Sequence, residues 1–198
     1  GSRLRAALEV SGKHGPLDAF YLEYVAPGED MADVEAALQT MATWKRENKL
    51  RYSGCTTHSA EVAHELLRRF GPNRGNGTLD VLMLRYNMAH PRMLEAMKAA
   101  EAQGVEVVCF TSTRWNTLQT GTAEWSALGH SPPTTANCIS FALYQPSVTS
   151  VTHSARSLEE LQQAVANLHQ MSDAEEELWR QYGLLVHDET ANFEVLYP

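Results

Sequence analysis

Short apolar segments alternate with longer amphipathic segments along this chain. The short segments are rich in Val, Leu, Tyr and Phe and are bounded by Gly, Pro, Asn, Thr or His. They cover residues 18–25, 50–55, 79–86, 105–111 and 148–151. Continuous apolar runs of this length are typical of strands that are buried on both faces, so the pattern predicts five buried strands.

The segments between and after these strands place apolar residues at the three- and four-residue spacing of amphipathic helices. Serines at the starts of several segments can cap a helix, and glycines that follow a segment are stop signals. Gly183, for example, is expected to end the last helix. The predicted helices cover residues 31–47, 59–70, 91–103, 135–144, 157–169 and 172–182, and one more precedes the first strand.

Alternation of strands and helices predicts an α/β fold with a parallel sheet, because each helix returns the chain to the edge where the next strand starts. The longest interruption, residues 112–134, is rich in Thr, Ser, Gly and Pro and is expected to be a long loop. We expect one domain over residues 3–184 and a tail over residues 185–198. Gly1-Ser2 is interpreted as a remnant of cloning.

Composition narrows the class of protein. The chain has 198 residues, of which 43% are hydrophobic and 20% charged, close to a globular average. A net charge of -8 argues against a general nucleic-acid-binding protein, which would carry a basic face. No apolar run reaches the roughly 18 residues of a membrane span, and no signal peptide is recognisable. We therefore expect no nucleic-acid or membrane partner and a location in the cytoplasm or an organelle stroma or matrix.

The cysteines and histidines give no sign of a metal site. Three separated cysteines show no CxxC spacing and are expected to be reduced and buried, namely Cys55, Cys109 and Cys138. Three histidines follow predicted strands, but no spacing typical of metal ligands links them. These are His58, His90 and His153, and we predict no metal.

Longer motifs extend across the strand segments and the residues that follow them. They read NKLRYSGCTT at residues 48–57, LDVLMLRYNMAH at residues 79–90, VEVVCFTSTRW at residues 105–115 and SVTSVTHSARSLEE at residues 147–160. Together with residues 18–25, these motifs resemble, in order, the fourth to eighth strands of the aldo-keto reductase superfamily, a family of TIM-barrel, NAD(P)H-dependent carbonyl reductases. The resemblance therefore implies a partial, incomplete TIM-barrel-like sheet of about five βα units with an extra C-terminal helix.

The resemblance implies only one counterpart of the family's catalytic tetrad of Asp, Tyr, Lys and His. In the family, Tyr protonates the carbonyl oxygen, Lys and Asp lower the pKa of Tyr, and His positions the carbonyl. The first three belong to strands that this sequence does not contain. The His position corresponds to Glu23, our candidate catalytic residue, whose alternative interpretation is a strand-end carboxylate with no catalytic task.

The cofactor positions implied by the resemblance are partly kept. The pair that binds the nicotinamide carboxamide corresponds to Thr56 and Thr57, and the ring that stacks under the nicotinamide corresponds to Phe110. The phosphate-side arginine corresponds to Arg156, beside Ser157 at a predicted helix N-terminus, which is a ready anion site. The adenine-side glutamate corresponds to Glu160 or its neighbour Glu159. The alternative is that Arg156 is a surface cation and Ser157 a simple helix cap.

Two functions remain open from the sequence. In the first, the resemblance implies an aldo-keto reductase-like protein, with NADP as its cofactor, that is not expected to be catalytically competent alone. The alternative is a non-catalytic partial barrel that serves as a protein-binding or assembly module. In either case the exposed sheet edges predict a homo-oligomer or a protein partner.

Overall fold

The computed structural model describes residues 15–73 and 77–187. Its strands form a single five-stranded parallel sheet in the order β1-β2-β3-β4-β5, so every strand lies beside its sequence neighbour. The strands are β1 (Leu17–Leu22), β2 (Leu50–Thr57), β3 (Val81–Arg85), β4 (Glu106–Phe110) and β5 (Ser150–Val151). The predicted fold class, a partial barrel-like parallel sheet, is confirmed. The helix predicted ahead of β1 and most of the predicted tail lie outside the described residues.

The described part of the chain contains seven α-helices. They are α1 (Met31–Arg46), α2 (Ala60–Phe70), α3 (Leu94–Glu101), α4 (Ala123–Ala127), α5 (Thr135–Leu143), α6 (Leu158–Ala166) and α7 (Asp173–Val186). Six of them correspond to predicted helices, with differences of a few residues at their ends. A short 3-10 turn, Pro91–Met93, replaces the first turn of the helix predicted at 91–103, where the ring of Pro91 suits a first turn.

The chain divides into two compact units. Unit 1 contains the chain up to Leu84 together with Glu95–Val108, and unit 2 contains Arg85–Leu94 together with the chain from Cys109 onward. In unit 1, the buried face of α1 carries Val34, Leu38 and Met41. This spacing of three and four residues is the one that the sequence predicted.

A polar cluster at the start of β3 ties unit 1 together. Lys45 forms an ion pair with the carboxylate of Asp80. The same carboxylate accepts a hydrogen bond from the backbone N–H of Ser53 at 2.8 Å, and the buried Ser53 hydroxyl lies 2.9 Å from it. Two strands and one helix of unit 1 are therefore linked through a single side chain, that of Asp80.

The segment 112–134 of unit 2 is not the plain loop that its composition predicts. It contains a 3-10 turn, Thr117–Thr120, and the short helix α4. Trp125 of α4 is buried, and its ring centroid lies 5.0 Å from that of Tyr182 in α7. The indole N–H donates to the Ser131 carbonyl at 2.9 Å, which satisfies its polar atom. An aromatic contact with a distant helix thus gives this segment its structure.

The prediction that Gly183 ends the last helix is wrong, because α7 continues to Val186. Gly183 instead lies where α7 meets the backbone of Met88 in the same unit. A Cβ atom at Gly183 would lie 2.0 Å from the Met88 carbonyl oxygen. The glycine is therefore explained by a close backbone approach and not by a helix end.

All three cysteines are buried, as the sequence predicted. Cys55, Cys109 and Cys138 are free and buried, and burial raises the pKa of each thiol to about 12.

Within residues 15–73 and 77–187, none of the helices is long and apolar enough to cross a membrane.

Candidate functional site

Glu23 lies directly after β1 in unit 1. Its side chain is exposed, and among the described residues it takes part in no hydrogen bond or ion pair. The next residue, Tyr24, packs its ring against the imidazole of His58, with 4.6 Å between centroids. The carboxylate of Glu23 is thus exposed to solvent, beside the packed rings of Tyr24 and His58.

Thr56 and Thr57 form the end of β2 in unit 1, and both are buried. The Thr57 hydroxyl donates to the Val25 carbonyl at 2.8 Å and accepts from the Ser59 N–H at 3.2 Å. A hydroxyl has one proton, and Thr57 donates it to the backbone carbonyl of Val25, which follows β1. The hydroxyl that forms the hydrogen bond to the Val25 carbonyl is that of Thr57 and not that of Thr56.

Phe110 is the last residue of β4 and belongs to unit 2, where its ring is half-buried. Beside it in the chain, the Cys109 carbonyl accepts the Thr152 N–H at 2.8 Å, which aligns β5 with the end of β4. The chain then runs from β5 to Arg156 at the start of α6. The ends of β4 and β5 in this unit are therefore held side by side by a backbone hydrogen bond.

Arg156, Ser157 and Glu160 lie together at the start of α6. The Ser157 hydroxyl oxygen accepts the Glu160 N–H at 3.0 Å and caps the helix. The Glu160 carboxylate accepts the Arg156 N–H at 2.8 Å, and this bond is the main cause that lowers the pKa of Glu160. The Arg156 guanidinium is 77% exposed, with its Nε 3.5 Å from Glu160. The pairing is loose enough for the guanidinium to meet another anion.

The predicted site residues therefore fall into two groups. Glu23, Thr56 and Thr57 belong to unit 1, and the remaining four belong to unit 2. Within unit 2, the structure brings three of the four into direct contact at the start of α6, and the fourth, Phe110, lies at the end of β4.

Sequence reasoning missed a group of Arg and His side chains in unit 2, which we call the cationic cluster. Its members are Arg85, His90, Arg92, Arg114 and His187. Burial, followed by the positive charges of the four other members, lowers the pKa of His90 to about 3. Three of its members could have been found in the sequence, because the segments RYNMAH and TRW place Arg85, His90 and Arg114 at or just after strand ends.

Asn87 holds the two segments of the cationic cluster in register. Its side-chain N–H donates to the Thr111 carbonyl at 2.9 Å, and its side-chain oxygen accepts the Ala89 N–H at 3.0 Å. The fully buried Asn87 thus connects the chain after β3 to the chain after β4 inside unit 2.

The lowered pKa of His90 predicts a loss of stability in mild acid. The unfolded imidazole titrates near 6.5, so below that pH the unfolded chain binds a proton that the folded chain does not. The free energy of unfolding should fall as pH drops from 7.5 to 5, by about 1 kcal/mol from this group once its partial exposure is taken into account. Urea unfolding of wild type and His90→Gln at both pH values measures the difference. An equal fall in both proteins would contradict the assignment.

In the part of the chain that the structure describes, no three His, Cys, Asp or Glu side chains lie close enough to hold a metal ion.

The sequence matches no protein-family model and no curated protein. Solved structures of aldo-keto reductases, however, are similar in fold. The reductase AKR11C1 from Bacillus halodurans, in its holo form, has a TM-score of 0.75 and 15% sequence identity, over 96% of this chain and 68% of its own. The thermostable reductase Tm1743, solved with the inhibitor epalrestat, has a TM-score of 0.69 and 16% identity, over 90% of this chain and 64% of its own.

A putative aldo-keto reductase from Pseudomonas aeruginosa, PA4992, has a TM-score of 0.60 and 15% identity, over 84% of this chain and 55% of its own. In each case nearly the whole chain corresponds to a part of the longer reductase. At these identities the likeness concerns the fold. The resemblance that the strand motifs predicted is thereby confirmed: the chain has the fold of a part of an aldo-keto reductase.

Proposed function

We propose that this chain is an aldo-keto reductase-like protein that binds an NADPH-type nucleotide by its phosphate groups and does not catalyse carbonyl reduction alone. The observation that carries the proposal is the arrangement of Arg156, Ser157 and Glu160 at the start of α6. The resemblance assigns these residues to the phosphate and adenine sides of the cofactor, and hydrogen bonds join them at the start of α6. The fold likeness to aldo-keto reductases supports it.

The phosphate end of a nucleotide fits the residues present. The Arg156 guanidinium is mostly exposed and can form paired hydrogen bonds to phosphate oxygens. The Ser157 hydroxyl uses its oxygen to cap α6, so its proton remains to be donated to the same anion. The first N–H groups of α6 favour negative charge at the same place.

The nicotinamide end fits less well. Met83 stands where the family has a glutamine and makes no polar contact of that kind. In unit 1, the Thr57 hydroxyl donates its proton to the Val25 carbonyl, so we retain Thr57 as a residue that positions the end of β2 and not as a ligand contact. Phe110 at the end of β4 supplies the stacking ring.

Catalytic competence would require a proton donor for the carbonyl oxygen as hydride is delivered from the bound cofactor. Within the chain, Glu23 is the one residue that corresponds to a tetrad position, and it is a solvated carboxylate. The resemblance implies no counterpart in this sequence of the tyrosine that donates the proton in the family. We therefore propose that this chain on its own binds nucleotide without turnover.

Fluorescence titration with NADPH tests the nucleotide site. Arg156→Gln should weaken binding at least about fivefold, because one charge-assisted contact to phosphate is lost. The matched control is Arg68→Gln, an exposed arginine of unit 1 that pairs with Glu65. Equal affinity of Arg156→Gln and wild type would remove the site. Oxidation of NADPH that depends on an added carbonyl compound would overturn the lack of catalysis.

We keep an assembly module as a second proposal because of one surface of unit 2. Helix α6 exposes an apolar stripe at helical spacing, formed by Leu158, Leu161 and Val165 and continued by Leu168. Contiguous exposed apolar residues of this kind mark interaction surfaces. Light scattering of the purified chain distinguishes the two candidates: a monomer that binds NADPH supports the first, and a stable oligomer without NADPH binding supports the second.

We keep the cytoplasm or an organelle interior as the proposed location.

A further inference from the structure

His169 lies in the short connection between α6 and α7 in unit 2, and both nitrogens of its ring have a hydrogen-bonding partner. Its Nδ1 lies 3.1 Å from the carbonyl oxygen of Asn167, the residue that caps the C-terminus of α6. Its Nε2 lies 2.8 Å from Oε1 of Glu175, in the first turn of α7. One imidazole thus joins the end of one helix to the start of the next, and we call these three residues the histidine clamp.

Both partners of the ring are hydrogen-bond acceptors. A backbone carbonyl and a carboxylate have no proton to donate, so each ring nitrogen has to supply one. The neutral imidazole carries a proton on one nitrogen, whereas the positively charged imidazolium carries a proton on both. The two hydrogen bonds of His169 therefore exist together only in the charged form of the ring.

The ends of the two helices favour that charge. The last carbonyl groups of α6 form the negative end of a helix dipole, which attracts a positive charge, and Glu175 places a carboxylate on the other side of the ring. The hydrogen bond to Asn167, followed by the one to Glu175, raises the pKa of His169 above its ordinary value of 6.5. Geometry and electrostatics thus agree on a charged ring.

The neighbouring acidic side chains of α7 have partners of their own. Asp173 accepts a hydrogen bond from the hydroxyl of Tyr144 at 2.8 Å. Glu176 forms an ion pair with Arg180 at 2.5 Å. Glu175 is therefore the carboxylate of this helix that pairs with the charge of the imidazole.

Helices α5 and α6 bring no competing charge to the clamp. The Ser140 hydroxyl of α5 accepts the backbone N–H of His169 at 3.3 Å, and α5 contains no Asp, Glu, Lys, Arg or His. The acidic residues of α6, Glu159 and Glu160, lie in its first turn, at the opposite end from the clamp. The charge state of His169 is thus set within the clamp itself.

The clamp also reaches the packed interior of unit 2. The Glu175 oxygen that faces His169 lies 3.4 Å from the indole Nε1 of Trp179, which donates to it. Trp179 is buried, with its ring centroid 6.2 Å from those of Trp125 and Tyr182. The charged imidazole therefore attaches the end of α6 to the well-packed part of α7.

Helix α6 depends on such an attachment because it is packed lightly. Of its nine residues, Ala164 alone is buried, whereas α5 buries seven of nine. Leu161 and Val165, on either side of Ala164, are exposed. A helix with so few buried contacts opens locally at little cost, so the connection at its end decides whether its last turn remains folded.

We propose that His169 is a pH-dependent clamp, which holds the C-terminal turn of α6 on α7 while the imidazole is protonated and releases that turn when the ring loses a proton. The neutral ring keeps one N–H and gives up the bond to Asn167 or the bond to Glu175. The attachment is complete below pH 6.5 and is lost as the pH rises through the raised pKa of His169. The clamp does not use Arg156 or the apolar stripe, so it stands if nucleotide binding and assembly both fail.

NMR spectroscopy of the whole chain between about pH 6 and about pH 9 tests the clamp. Both ring nitrogens of His169 should carry protons at the acid end, and the pKa of the ring should lie above 6.5. The amides of Asn167 and Leu168 bond to the carbonyls of the last helical turn, and their exchange rates are divided by the intrinsic rate at each pH. Their protection should fall at least about threefold as the ring deprotonates. The amide of Ile139, in the buried helix α5, is the internal control and should keep its protection.

Two substitutions separate the clamp from other effects of pH. Glu175→Gln keeps an acceptor for the Trp179 indole but removes the charge, so the pKa of His169 should fall toward 6.5 and release should begin at a lower pH. His169→Gln removes the titrating ring, and the protection of residues 167 and 168 should then be independent of pH. His64→Gln, at an exposed histidine of α2 in unit 1, is the matched control and should reproduce the wild-type curve.

Four results would overturn the proposal. They are a His169 ring with a pKa at or below 6.5, a pKa that Glu175→Gln leaves unchanged, protection of residues 167 and 168 that does not vary with pH in wild type, and a pH-dependent release that persists in His169→Gln. A raised pKa with a release that both substitutions alter supports the clamp, whether or not the chain binds NADPH.

Discussion

Replacing Gly183 by alanine is expected to lower the free energy of unfolding by about 2–4 kcal/mol. In most helices the same change is favourable by roughly 0.5–1 kcal/mol, because alanine is the better helix former. The expected sign is therefore reversed here. The reversal makes the substitution a strict test of how α7 lies in unit 2.

The reason is a backbone contact. The new Cβ would lie 2.0 Å from the carbonyl oxygen of Met88 and 2.6 Å from its carbonyl carbon. Backbone atoms cannot turn aside as the end of a flexible side chain can, so either α7 or the segment after β3 must move. Tyr182, the preceding residue, is fully buried and would move with the helix.

Urea unfolding measures the effect. The matched control is Leu184→Ala, at the next position of the same helix, where the side chain is 75% exposed and its loss should change stability by less than about 0.5 kcal/mol. A Gly183→Ala protein that is as stable as wild type, or more so, would contradict the close approach of α7 to Met88.

The second large effect is expected at Asp80. Asp80→Ala should lower the free energy of unfolding by about 2–3 kcal/mol, because the ion pair with Lys45 and the hydrogen bonds from Ser53 are lost together. The Lys45 and Asp80 side chains are only 27% and 29% exposed. Solvent therefore replaces the lost partners incompletely, and the buried Ser53 N–H is left without its acceptor.

Asp18→Ala is the matched control for Asp80→Ala. Asp18 also forms an ion pair, with Arg51 at 3.0 Å, but both side chains are more than half exposed. Exposed pairs contribute about 0–1 kcal/mol, so the control should lose little stability. Similar losses in both variants, measured by urea unfolding, would show that the Asp80 cluster is no stronger than a surface pair.

Much of the fold could be predicted because its elements are local patterns. Each of the five apolar runs overlaps a strand, and the caps at Ser59, Ser157 and Ser172 lie where the sequence predicted them. Helix α4 and the role of Gly183 could not be predicted, because each depends on a contact between segments far apart in the chain. Trp125 meets Tyr182, and Gly183 meets Met88.

The candidate site could be predicted only where its residues are neighbours in the sequence. Arg156, Ser157 and Glu160 are neighbours in sequence, so their grouping follows from the start of one helix. The cationic cluster draws on three segments, and its histidine at position 187 lies in what the sequence suggested was a tail. The use of the Thr57 hydroxyl on Val25 likewise depends on the pairing of two strands and has no signature in either segment alone.

The hydrogen bonds at the start of α6 bear on the kinetics of the nucleotide binding that we propose there. Glu160 is held by the Arg156 N–H and Ser157 by the Glu160 N–H, so the backbone there is ordered before any anion arrives. Only the Arg156 side chain has rotamers left to lose, a loss of about 0.5–1.5 kcal/mol. Association at this point of the fold should therefore proceed at the rate of encounter, without a slow conformational step, and variants of Arg156 should change the lifetime of the complex more than its rate of formation.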